Sequence, residues 1–69
     1  MTDGRTETIL AALNTFRAAW NRVQDSHATI EHQYATRGRC TREAIREMTR
    51  ATRAFSAACR AMQGAAGVR

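Results

Sequence analysis

From Ile9 onward the large side chains of the first half of the chain recur in alternating steps of four and three: Ile9, Leu13, Phe16, Trp20, Val23, His27, Ile30, Tyr34. A seven-residue repeat with two apolar positions keeps these side chains on one stripe of an α-helix. Sustained for about four heptads, it predicts a helix over about residues 6–37. The stripe breaks at "TRGRC", where Gly38 is free to take the left-handed backbone conformation that ends a helix. A second stripe follows at once: Ile45, Met48, Thr52, Phe55, Cys59, Met62. Thr41 stands where an N-cap belongs, and Glu43 falls at the positive end of the new helix dipole. The expected second helix covers about residues 41–63, after a turn at about 38–40. Thr6 or Asp3 is the candidate N-cap of the first helix, residues 1–5 a frayed lead-in, and the glycines of "GAAGVR" make 64–69 a frayed tail. The chain thus reads as all-α, a single domain over residues 1–69 built as an antiparallel two-helix hairpin.

So short a turn leaves the second helix no direction but back along the first. Folding the numbering about the turn pairs Tyr34 with Ile45, Ile30 with Met48, His27 with Thr52, Val23 with Phe55, Trp20 with Cys59 and Phe16 with Met62. The expected register puts the largest side chain over a small one. It also puts the two polar stripe residues, His27 and Thr52, in one layer where they share a hydrogen bond.

Composition changes this picture in one respect. The hydrophobic fraction is 43% over 69 residues, yet alanine supplies 14 of those positions. Large apolar side chains are therefore scarce, and a chain this short needs a staple, a metal or a partner to complete its core. A partner chain or dimerisation is the expectation. The absence of proline, with only four glycines, agrees with the helical reading. Apolar runs are too short to span a bilayer, and "MTDGRTET" lacks the basic-then-apolar order of a signal peptide. A bacterial cytoplasmic location is expected, with no membrane partner. Cys40 and Cys59 are set about 28 Å apart by helical rise, beyond the reach of a disulfide.

The net charge of +5 comes from eleven arginines without a single lysine. Arg42, Arg46, Arg50, Arg53 and Arg60 fall within roughly an 80° sector of the second helix, away from its apolar stripe. One reading is a face that tracks nucleic-acid phosphates. The other is a solvated face steadied by Glu43–Arg46 and Glu47–Arg50 pairs. No aromatic residue interleaves the arginines to stack on bases, so the solvated reading is preferred. Between stripe and arginines lie Ala44, Ala51, Ala54, Ala58 and Ala61. Small residues on a helix flank admit a second backbone, which marks these five as the candidate partner-binding face.

Chemistry finds little footing. His27 and His32 point about 140° apart on a helix, and neither stands at zinc-ligand spacing from a cysteine. Catalytic, cofactor-binding and metal-binding residues are all expected to be absent: the chain has no nucleophile motif, no phosphate loop and no inward carboxylate pair.

"ATRGRCTREAIREMTRATRAFSAACRAM" resembles the small co-chaperones of type III secretion needle subunits, the YscE/PscE-like family. Arg37-Gly38 matches the Arg-Gly turn just past mid-chain in those hairpins, and Arg53-Ala54-Phe55 matches their basic-Ala-Leu-like triplet. The resemblance implies a non-enzymatic virulence-associated function. Such a protein stabilises a larger tetratricopeptide-type chaperone and helps keep a needle subunit unpolymerised. The cysteine near the second helix and "ATRAF" are also similar to copper-sensing repressors of the CsoR type, but no histidine follows Cys40 to ligate copper. A basic helical-hairpin homodimer binding RNA or DNA, Rop-like in design, is the alternative.

Overall fold

The computed structural model describes residues 4–67, which form two α-helices, α1 (Gly4–Arg37) and α2 (Arg42–Ala65), packed against each other as an antiparallel hairpin. The turn is made as its residues dictate. Gly38 adopts φ of 71° and donates its N–H to the Tyr34 carbonyl, a conformation open to glycine at little cost. Thr41 takes extended backbone angles and its hydroxyl accepts from the Ala44 N–H at 3.1 Å, satisfying one orphan donor of the new helix. A further tie was not legible in the pattern. The Gln33 side-chain carbonyl accepts the Thr41 N–H at 2.8 Å, pinning the start of α2 to the last turns of α1.

Both helices run longer than the sequence suggests. α1 already includes Gly4, whose carbonyl accepts the Thr8 hydroxyl at 2.9 Å, so Thr6 lies inside the first turn and is no cap. Asp3 lies outside the described residues. α2 passes through Gly64 to Ala65, two residues into the segment expected to be a frayed tail, and Gly67 follows with φ of 76°.

The seam between the helices differs from the expected one. Buried positions are Ala19 and Ser26 on α1 and Ala44, Ala51 and Ala58 on α2. On each helix they are seven apart, one residue away from the large side chains of the stripe. The helices have turned so that small residues meet along the middle while Trp20, His27 and Tyr34, with Ile45 and Thr52, move to the flank. The physical reason is the thinness of the molecule. With no third helix, a tryptophan aimed straight at α2 would hold the axes apart, whereas alanine lets the backbones close. Large side chains then lean over the seam from one side.

The register moves as well. Phe55 packs against Phe16 at 5.1 Å and Trp20 at 5.3 Å between ring centroids, nearer the N-terminus of α1 than the expected partner Val23. Trp20 therefore stacks on Phe55 instead of nesting over Cys59. The expected His27–Thr52 hydrogen bond is replaced by local ones. His27 Nδ1 stands 3.5 Å from Glu31, and the Thr52 hydroxyl donates to the Met48 carbonyl at 2.8 Å.

Candidate protein-interaction surface

The seam divides the hairpin into two unlike sides. Helical rotation carries Arg22, Thr29 and Glu47 to one flank and Phe16, Trp20, His27, Tyr34, Met48 and Phe55 to the other. In an antiparallel pair these flanks coincide, so one side of the molecule is polar on both helices and the other apolar on both. Contacts agree with the geometry. The polar side is crossed by Arg22, whose Nε donates to Glu47 Oε1 at 2.6 Å, with Arg50 at 3.4 Å from the second carboxylate oxygen. The hydrogen bond from Arg22 holds the Glu47 carboxyl below the ordinary glutamate value, and the same bond raises the Arg22 guanidinium.

The apolar side is bare. Trp20 is 44% exposed, Ile45 52% and Tyr34 56%, and no large side chain is fully buried anywhere among the described residues. Two shallow depressions open along this side. One is lined by Trp20, Val23, Gln24, His27, Ala28 and Glu31; the other, by Phe16, Cys59, Met62 and Gln63 with Ala66. Aromatic and aliphatic groups thus form a long exposed band, the candidate interaction surface of the hairpin.

The sequence-predicted docking alanines fare unevenly. Ala44, Ala51 and Ala58 are taken up by α1, with Ala51 wholly inaccessible, so they cannot receive a second protein. Ala54 is half-buried beside the polar flank and Ala61 exposed. The five do not form one open face. What the sequence reading missed is that the large stripe residues are themselves the open surface. The signal was present as a seven-residue spacing of small residues, Ala12, Ala19 and Ser26 on α1 and Ala44, Ala51, Ala58 and Ala65 on α2.

Arg42, Arg46, Arg53 and Arg60 are exposed on the back of α2, facing away from α1, and Arg50 is exposed on the polar flank. Of the five, Arg50 turns toward Glu47, while the expected Glu43–Arg46 pair does not form. Both cysteines are free and half-buried. Among the described residues no three of the His, Cys, Asp and Glu side chains converge into a metal-sized cluster, and no helix is long and apolar enough to cross a membrane.

Fold and surface together define an amphipathic antiparallel helical hairpin. No protein-family model, curated protein or solved structure matches the chain.

Proposed function

We propose that this protein is a non-enzymatic interaction module that works by laying its apolar side on another polypeptide, in the manner of a small co-chaperone. The observation that carries this reading is the exposure of Trp20, Tyr34 and Ile45 along one side of a hairpin in which no large side chain among the described residues is fully buried. Aromatic anchors beside shallow depressions are the features that dominate binding energy at protein interfaces. The resemblance of the turn and of Arg53-Ala54-Phe55 to needle-subunit co-chaperones supplies the partner. It is a larger tetratricopeptide-type chaperone, with the needle subunit held unpolymerised in the complex.

The test is co-expression with a tetratricopeptide-type chaperone of a type III secretion needle subunit, followed by co-purification. Trp20→Glu and Ile45→Glu should each abolish capture, and Arg46→Gln with Arg53→Gln should leave it intact. Capture indifferent to both apolar-side changes refutes the reading.

One observation favours a second function. Arg42, Arg46, Arg53 and Arg60 are exposed and pair with no carboxylate among the described residues. A phosphate backbone along this face would release counterions, so binding would fall steeply with salt. Replacing Arg46, Arg50 and Arg53 with Gln should then remove a gel shift seen at low salt. An unshifted RNA or DNA probe under those conditions ends this alternative.

A further inference from the structure

We propose that in the isolated protein the apolar side is covered by a second copy of this chain, two hairpins packing face to face about a two-fold axis into a four-helix bundle. The proposal rests on the apolar side being a protein-docking surface, as above, and names its occupant when no other protein is present.

Area is the first argument. The chain exposes 5492 Å², whereas a folded monomer of its 7.7 kDa mass exposes about 4,300 Å². The surplus, about 1,200 Å², exceeds the roughly 800 Å² per partner that a standard stable interface covers. Shape agrees. The Cα atoms extend over 54 × 22 × 15 Å, a single layer of helices. Its radius of gyration is 15.8 Å, against about 11 Å for a compact domain of this length. A second layer stacked on the apolar side makes such a slab globular.

The surface is also complementary to itself. Arg17, Gln24 and Glu31 run at seven-residue spacing along the outer edge of α1, beyond Trp20 and His27. Arg17 makes no ion pair among the described residues, and Glu31 has only His27, at 3.5 Å. A two-fold axis through the level of Gln24 lays Arg17 of each copy against Glu31 of the other. Isologous symmetry forms that pair twice. The same axis carries Trp20 toward Ala28 of the second copy, within the depression lined by Val23, Gln24, His27, Ala28 and Glu31.

Trp20 over Ala28 sets a large side chain against a small one, as dense packing requires. The arginine stripe lies on the back of α2, so two chains of net charge +5 join without opposing their stripes.

Sedimentation equilibrium of the full-length chain, from low to high micromolar, tests this. The expected mass is twice that of one chain. Ile45→Glu, at an exposed position, should give a monomer whose helicity by circular dichroism is unchanged. Arg17→Glu alone and Glu31→Arg alone should each weaken the dimer on the order of tenfold, and the two together should restore it. Single-chain mass across the range overturns the proposal, as does a dimer indifferent to Ile45→Glu and to both charge reversals. A monomer that still captures the tetratricopeptide-type chaperone through Trp20 and Ile45 overturns the dimer alone. If Ile45→Glu alters neither mass nor capture, the docking reading fails with it.

Discussion

The two flanks of the seam solve one packing problem in opposite ways. On the polar flank, long side chains reach across the gap and close it with charge: Arg22 to Glu47, with Arg50 alongside. On the apolar flank Phe16, Phe55 and Trp20 lean over the gap as tilted rings but stay half-open to solvent. Between them runs a line of alanines too small to enclose anything. A two-helix layer thus holds itself together along a narrow line of close backbone approach, and its bulky side chains become surface. The same residues that would form the interior of a larger bundle here form the face left available.

The sharpest way to break this arrangement is Ala51→Leu. Ala51 is fully inaccessible at the centre of the seam, and added methylenes there force the helices apart at a cost of about 1–3 kcal/mol. A lowered thermal midpoint by circular dichroism is the expected result; an unchanged one would move the seam elsewhere. Trp20→Ala should cost a similar amount. Full burial of a tryptophan would put its truncation at about 3–5 kcal/mol, but 44% exposure reduces this to about 2–3 kcal/mol. A loss at the higher value in dilute solution would mean that Trp20 is covered by something other than its own hairpin. Glu47→Gln should have the smallest effect, because both partners are exposed and exposed pairs contribute little. Its signature is pH dependence. The Glu47 carboxyl is held low in the folded chain, so its contribution is present above the ordinary glutamate value and fades as pH falls through the depressed one. In Glu47→Gln that acid-side loss should be shallower than in the parent protein.

Much of the fold was legible because it depends on local signals. The heptad stripe fixed two helices, and Gly38 and Thr41 marked the turn by conformational need and capping chemistry. The candidate site was legible only by its ingredients. Neighbouring residues of an α-helix point about 100° apart, and a rotation of that size exchanges Ala51 for Thr52 and Ala19 for Trp20 at the seam. Ranking by size favoured the large residues. Packing two helices without a third favours the small ones, and that preference appears only when backbone approach is weighed against side-chain area. The register slipped for a related reason. Folding the numbering evenly about the turn ignores the Gln33–Thr41 bond, which sets where α2 begins relative to α1.

The bond from Thr41 to Gln33 also has a kinetic meaning. It joins residues only eight apart, so the turn can be fastened before any distant pair of side chains meets, and closing so short a loop takes place in well under a microsecond. A chain that fastens this turn first would zip its two arms outward from residue 38, each later contact forming between segments already close in space. Hydrogen exchange should be slowest beside Gln33 and quickest toward Gly4 and Ala65, as in a clasp knife that opens from the tips.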